Sequence, residues 1–192
     1  MTALANILVV AEHDNASIKA ATLNTITAAL QCGDDVHVLV AGHNAGAAAQ
    51  QATRIVGISK VLHADAEHLA HALAENLAAQ VLAIAANYSH IVFCATASGK
   101  NVAPRVAAKL GVGQVSDVTR VVSADTFERP IYAGNAIATV QAQDATRVLT
   151  VRSTVFDAAA LADIAQAAIE VIAVADPKGT VAYVGSELAQ ND

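Results

Sequence analysis

The chain has 192 residues, of which 55% are hydrophobic and 15% are charged, and its formal net charge is −6. This composition predicts a folded domain with a large core, excludes global disorder, and gives the wrong sign of charge for a nucleic-acid partner. The two cysteines, Cys32 and Cys94, are too few and too far apart for a disulfide framework or a cysteine-rich zinc site.

The start of the chain and its apolar stretches predict no targeting or membrane segment. The first residues lack the basic region of a secretory signal and the arginine-rich pattern of a transit peptide. The longest apolar stretch, residues 77–86, is interrupted by Gln80 and is too short to span a bilayer. We therefore expect a soluble protein of a reducing compartment, most simply a bacterial cytoplasm, with no direct membrane insertion.

The first half of the sequence alternates short β-branched runs with helical patterns. Strands are predicted at residues 6–11, 36–40, 57–62 and 90–95. Helices are predicted at residues 17–31, 45–56, 67–86 and 101–110. Strands that alternate with helices at this spacing predict βαβ units and a mainly parallel sheet flanked by helices.

The second half is predicted to be rich in strands. These are expected at residues 115–123, 131–132, 136–143 and 147–151, with a hairpin turn at 144–146 between the last two. Residues 158–169 are predicted to be helical. Residues 171–192 are predicted to form a C-terminal arm or linker after an α/β domain of residues 1–170.

Histidine and cysteine spacing predicts neither a metal site nor a catalytic residue. His68, His71 and Glu75 are spaced like ligands on one helix face, but they fall opposite an apolar stripe and are interpreted as a hydrated polar face. Cys94 lies in an apolar strand and Cys32 at a predicted helix C-terminus, so both are expected to be structural thiols. No Walker loop, dinucleotide-binding glycine fingerprint or nucleophile elbow is present.

A glycine-containing loop and helix at residues 96–110 follow a predicted strand. Because Pro104 is best tolerated in the first helical turn, the helix is predicted to start with Asn101 as its N-cap. Lys100 and Arg105 then place two cations at the carboxyl edge of the sheet, where α/β domains carry their sites. An ordinary strand-to-helix turn explains the same residues equally well.

Two further segments stand out. Residues 114–118 form a polar entry into a strand. Residues 129–136 contain Gly134 and Asn135, which favour left-handed backbone and predict a sharp turn between strands. Neither segment, alone or with residues 96–110, supplies a nucleophile, a base and an oxyanion hole.

In this order, these segments resemble the N-terminal domain of the electron transfer flavoprotein α subunit. The resemblance covers nearly the whole chain and is carried by residues 7–12, 96–110, 112–118, 129–136 and 148–152. It implies an α/β fold of the adenine nucleotide α-hydrolase-like, Rossmann-like type with a β-rich second half. Any one of the segments would be a weak signal, and their combination is specific.

The resemblance implies an electron carrier subunit rather than an enzyme. Proteins of this family pair with a β subunit; the heterodimer carries one FAD, and AMP is buried mainly in the β subunit. The complex collects electrons from acyl-CoA and other dehydrogenases and passes them to a quinone oxidoreductase. The FAD is held largely by the C-terminal part of the α subunit, which would begin where this sequence stops, at Asp192.

The resemblance therefore implies a scaffold fragment that is redox-inactive on its own and holds no cofactor-binding residue. Lys100, Arg105 and Asn135 are candidates for positioning loops at the contact with partners, or equally for fixing loops within the domain. The main alternative is a stand-alone adenine-nucleotide-binding module of the universal-stress type, which the α/β half supports. A small hydrolase is a second alternative, for which no catalytic triad can be assembled.

Overall fold

The computed structural model describes residues 6–185 and 187, and the fold concerns that part of the chain. The strands are β1 (Asn6–Val10), β2 (Asp35–Gly42), β3 (Lys60–Asp65), β4 (His90–Cys94), β5 (Gln114–Val118), β6 (Arg120–Val121), β7 (Thr126–Ile131), β8 (Ala136–Gln141), β9 (Arg147–Val151) and β10 (Ala168–Val171). The α-helices are α1 (Ala20–Leu30), α2 (Gly46–Ala52), α3 (Ala74–Ile84) and α4 (Ala97–Leu110).

Seven strands form one sheet in the order β10-β3-β2-β1-β4-β9-β5, and each neighbouring pair is parallel. Residues alternate between its two faces. Ile7 and Val9 of β1 belong to the cluster that includes α1 and α2, whereas Leu8 and Val10 belong to the one that includes α3 and α4. The predicted fold class, a mainly parallel sheet flanked by helices, is confirmed.

The predicted hairpin at residues 144–146 is wrong. β9 returns to the main sheet and pairs in parallel with both β4 and β5, because its apolar residues are buried on both faces. The antiparallel hairpin is instead β7–β8, which with β6 forms a separate three-stranded sheet. The sharp turn predicted at Gly134 is present, although positive φ angles fall on Tyr132, Ala133 and Gly134 and not on Asn135.

The predicted start of α4 is also wrong. The helix begins at Ala97 with Thr96 as its N-cap, whose hydroxyl accepts a hydrogen bond from the Gly99 N–H at 3.3 Å. Pro104 therefore lies inside the helix and deprives the Lys100 carbonyl of its usual partner. Both residues are exposed, so water can replace the lost bond.

Two predicted helices change form. The helix predicted at residues 67–86 is broken at Ala72, whose φ is +47°, into a 3₁₀ turn at Glu67–Leu69 and helix α3. Residues 158–169 are not a helix. Their backbone instead hydrogen-bonds to α1 and to the residues that follow α2. For example, the Ala159 N–H donates to Leu23 O at 3.1 Å. The segment then leads into β10 at the edge of the sheet.

The predicted domain boundary at residue 170 falls within β10. Among the described residues, no helix is long and apolar enough to cross a membrane.

Candidate functional site

The strand order reverses between β1 and β4, and α/β sheets bind ligands in the crevice outside the carboxyl ends of the strands at such a point. The crevice here holds a cavity of about 70 Å³. It is lined by the loop after β1, by Cys94 at the end of β4, and by Ser98 and Gly99 in the first turn of α4. A nucleotide bound in the way that is usual for such sheets would lie in this crevice.

The Glu12 carboxylate lies beside the N-cap of α4. The Thr96 hydroxyl, which caps the helix, donates to Glu12 Oε1. The Glu12 backbone N–H in turn donates to Thr22 Oγ1 at 2.8 Å, which ties the loop to α1. Helix N-termini in α/β folds favour anions such as phosphate. In this chain the group that contacts the N-cap hydroxyl of α4 is the Glu12 carboxylate.

The rest of the loop closes the crevice. His13 Nδ1 accepts from the Asn15 backbone N–H at 3.1 Å, so its proton lies on Nε2, which donates to Ala41 O at 3.1 Å. The Asn15 side chain donates to Ala70 O at 3.1 Å and accepts from the His43 N–H at 3.2 Å. Gly42 is needed because a Cβ there would lie 2.3 Å from Asn15 Oδ1.

The closed crevice does not fit an adenine nucleotide or a flavin. Pockets for such ligands measure about 300–1,000 Å³. The cavity of about 70 Å³ is well below that range, and the Glu12 carboxylate lies on its wall beside the N-cap of α4. The residues that line it therefore provide no room for AMP or for the adenosine half of FAD in this conformation.

Two buried histidines should make the protein less stable in mild acid. Burial lowers the pKa of His13 and of His90 from the ordinary value of 6.5. His90 Nε2 donates to Ala124 O at 2.5 Å. As the pH falls, the histidines of the unfolded chain are protonated before those of the folded chain. The free energy of unfolding that the two neutral histidines contribute is therefore fully present above about pH 6.5 and is lost as the pH falls toward their folded-state pKa values. Each pKa unit between the folded and the unfolded state corresponds to about 1.4 kcal/mol in the free energy of unfolding.

Urea unfolding at about pH 7.5 and about pH 5.5 tests this effect. We expect a lower free energy of unfolding at the lower pH, and a smaller pH dependence in His13→Gln. His71→Gln, which changes an exposed histidine, is the control and should keep the native pH dependence. A free energy of unfolding that is equal at the two pH values would contradict the prediction. The carboxyl groups whose pKa is lowered in the folded state also affect stability, but in a lower pH range than the histidines. Asp117, with an ordinary pKa of 3.8, is one of them.

The two cysteines are buried, as the sequence predicted for Cys94. Burial raises the pKa of Cys94 to about 11 and that of Cys32 to about 12. Cys94 Sγ accepts a hydrogen bond from the Thr25 hydroxyl at 3.3 Å. A thiol with such a pKa carries almost no thiolate at neutral pH, so both side chains act as small apolar groups.

His68, His71 and Glu75 contact three different partners. His68 Nε2 lies 3.0 Å from Ala175 O, and the His71 ring stacks on Tyr183 with centroids 3.6 Å apart. Glu75 pairs with Arg105 at 3.0 Å. Within residues 6–185 and 187, no three histidine, cysteine or acidic side chains are placed to hold a metal ion.

The three predicted loop-positioning residues lie on two elements. Lys100 is exposed in the first part of α4, and Arg105, on the same helix, contacts Asn101 Oδ1 at 3.4 Å besides pairing with Glu75. Asn135 is exposed at the end of the turn between β7 and β8. Their contact role therefore stays a prediction.

An ion pair that sequence reasoning missed holds a bulge in β5. Asp117 has a φ of +60°, and the β5–β9 register shifts between Val115 and Val118. Arg152 Nε donates to Asp117 Oδ1 at 3.0 Å, and its Nη2 contacts Oδ2. These hydrogen bonds from Arg152 lower the pKa of Asp117 from its ordinary value.

Three of the segments that carry the family resemblance meet at this bulge. Asp117 comes from the first and Arg152 from the third, while Arg129 from the second donates to Ser116 O at 2.8 Å. The Asp117 N–H also donates to Thr150 Oγ1 at 2.8 Å. In the sequence, each of the three segments contains a charged residue. That pattern did not indicate that these charged residues contact one another or a shared strand. Their contacts join β5, β7 and β9.

Comparison with known proteins gives consistent matches. The family profile described as electron transfer flavoprotein domain matches residues 7–177. Electron transfer flavoprotein subunit alpha of Pseudomonas aeruginosa is 54% identical over 97% of this chain and 60% of the relative. The subunits of the same name from Bradyrhizobium diazoefficiens and Paracoccus denitrificans are 51% and 45% identical, over 96% and 97% of this chain and 58% and 60% of the relatives. The chain thus spans about 60% of the length of these curated relatives, and the predicted family is confirmed: the chain belongs to the electron transfer flavoprotein family, as a relative of its α subunits.

Proposed function

We propose that this chain is the N-terminal scaffold domain of an electron transfer flavoprotein α subunit. It binds the β subunit and braces the part of the α subunit that holds FAD, without binding flavin itself. The observation that carries this proposal is the closed crevice, in which only about 70 Å³ is left beside the Glu12–Thr96 hydrogen bond. In this proposal, a domain whose crevice between β1 and β4 is closed supplies structural support and partner contacts, and it does not supply cofactor ligands.

The whole αβ protein, in this proposal, carries electrons through FAD from acyl-CoA and other dehydrogenases to a quinone oxidoreductase, in a bacterial cytoplasm. AMP is bound by the β subunit. This chain on its own is redox-inactive and is not an enzyme. Lys100, Arg105 and Asn135 position loops at the contact between the domains.

Most of the large exposed apolar side chains lie in the last part of the described chain. Of the twelve large ones among the described residues, eight lie between residues 155 and 184, and two, Tyr132 and Ile137, lie on the β7–β8 hairpin. Single exposed apolar residues are normal on a monomer. Tyr132 and Ile137 are 79% and 58% exposed on neighbouring parts of one hairpin, and we propose that this hairpin contacts the β subunit.

Co-expression with the β subunit of the same organism tests the proposal. We expect a one-to-one complex on gel filtration and no flavin absorbance from this chain alone. Ile137→Asp should weaken the complex by about tenfold or more, as at a buried interface position. Val56→Asp, which changes an exposed valine in the turn after α2, is the matched control and should bind normally.

Three outcomes would contradict the proposal: no complex with the β subunit, equal binding by the two variants, or stoichiometric FAD retained by this chain alone after gel filtration. Equilibrium dialysis with AMP or ATP addresses the alternative of a nucleotide-binding module. Submillimolar binding by this chain alone would favour that alternative, and the closed crevice argues against it.

A further inference from the structure

Two amide side chains on one face of α3 are buried. Gln80 is fully buried and Asn76, one helical turn before it, is 6% exposed. A buried amide is costly unless its donor and acceptor groups are both hydrogen-bonded. The partners of these side chains therefore indicate why amides stand at positions where the neighbouring residues of the helix are apolar.

Both amides bind the backbone of residues 172–178, here called the strap. Gln80 Nε2 donates to Ala173 O at 3.1 Å, and Gln80 Oε1 accepts from the Ala175 N–H at 2.8 Å. Asn76 Oδ1 accepts from the Lys178 N–H at 2.9 Å, while its Nδ2 donates to His68 O at 2.9 Å. Every polar atom of the two amides thus has a partner, and three of the four partners are on the strap.

The strap continues the edge of the sheet. Its first residue, Ile172, donates its N–H to His63 O at 3.0 Å, directly after the parallel pairing of β10 with β3. In its middle, Ala175 O lies 3.0 Å from His68 Nε2. The chain then turns at Gly179, where φ is +64°. The backbone is therefore hydrogen-bonded at the start, in the middle and at the end of the strap.

We propose that Gln80 and Asn76 are positioning residues that fix the strap to α3 and so set the path by which the chain crosses the domain before the stacking of Tyr183 on His71. This inference rests on the proposed function for its purpose: in an α subunit, the part that holds FAD follows the strap, and a fixed strap defines where that part is attached. Residues predicted from the sequence to be the beginning of a linker thus hydrogen-bond to the folded domain as far as Lys178, and Tyr183 beyond them still stacks on His71.

An apolar residue at position 80 could fill the same space but could not hold the strap. Leucine is similar in size, but it would leave the Ala173 carbonyl and the Ala175 N–H without their partners. Those two groups can regain hydrogen bonds only by moving into water. Gln80→Leu should therefore release the strap while it keeps the packing of α3.

Trypsin measures the release, because Lys178 is a cleavage site at the end of the strap and proteases cut segments that are free of the fold. We expect slow cleavage after Lys178 in the native chain. In Gln80→Leu the rate should rise by about tenfold or more, as for the loss of two hydrogen bonds. Gln31→Leu, at the exposed glutamine that follows the last residue of α1, is the control and should cleave at the native rate. Cleavage after Arg147, which begins β9 and precedes the fully buried Val148, reports on global unfolding.

A second variant separates local release from unfolding. Ala175→Pro removes the N–H that Gln80 binds and lies on the strap, outside both core clusters. It should also accelerate cleavage after Lys178 by about tenfold or more, with cleavage after Arg147 unchanged. Hydrogen exchange of the Lys178 amide should become faster in both variants.

The proposal is overturned if the native chain is cut after Lys178 as fast as an unfolded peptide of the same sequence, or if both variants cleave at the native rate. None of these measurements uses the β subunit or FAD. A strap that behaves as expected in a chain that fails to bind the β subunit would refute the proposed function and leave the role of Gln80 and Asn76 in place.

Discussion

Gly99→Ala should leave little folded protein. A Cβ at this position would lie 1.9 Å from the carbonyl oxygen of Cys94 and 3.0 Å from its carbonyl carbon. Both are backbone atoms of β4, which is paired with β1 and β9 in the middle of the sheet and cannot move aside. We expect a loss of about 3 kcal/mol or more, a large share of the roughly 5–15 kcal/mol that stabilises a domain.

Soluble yield and urea unfolding measure this effect. The matched control is Gly46→Ala at the first residue of α2, where an added Cβ has no atom within 4 Å. Because alanine also restricts the unfolded chain, this variant should be unchanged or more stable by about 0.4–1 kcal/mol. Equal unfolding midpoints for the two variants would show that the close approach of Gly99 to Cys94 is not needed.

Phe127→Ala should destabilise the protein by about 3–5 kcal/mol, as for other buried phenylalanines. Phe127 is fully buried on β7 and belongs to the same core cluster as Val118 and Leu149 of the main sheet. It therefore joins the three-stranded sheet to the seven-stranded one. Urea unfolding measures the loss, and hydrogen exchange should show that β7 and β8 lose protection.

Ile137→Ala is the control for Phe127→Ala on the same hairpin. Ile137 is 58% exposed on β8, so its truncation should change the free energy of unfolding by no more than about 0.5 kcal/mol. If Phe127→Ala and Ile137→Ala had the same stability, the hairpin would not be anchored through Phe127. The pair also separates variants that damage the hairpin from the Ile137→Asp change proposed to weaken partner binding.

The alternation of strands and helices could be read from local patterns. β1, β2 and β4 are short runs of β-branched and apolar residues, which are typical of buried parallel strands. The family could also be recognised, because the order of several short segments is visible along the chain. The contact of three of these segments at Asp117 could not be recognised, because the order of segments along the chain carries no information on their distance in the folded structure.

The errors have a common cause. Residues 158–169 are rich in alanine and so have a helical preference, but backbone bonds such as that between Ala159 and Leu23 replace the helical ones. Pro104 indicated a helix start, yet the capping hydroxyl of Thr96 and the packing of α4 outweighed one missing hydrogen bond. In both places tertiary contacts decided against the local preference.

The amino-acid sequence by itself determined the α/β class, the burial of Cys94 and the membership of the family, because hydrophobic periodicity and motif order are local or linear properties. Only the tertiary structure decided that Glu12 closes the crevice over α4, that Arg152 holds the bulge at Asp117, and that Gln80 binds residues 172–178. Each of these contacts joins residues that are far apart in the chain, and their hydrogen bonds exist only once the sheet has brought its strands and helices together.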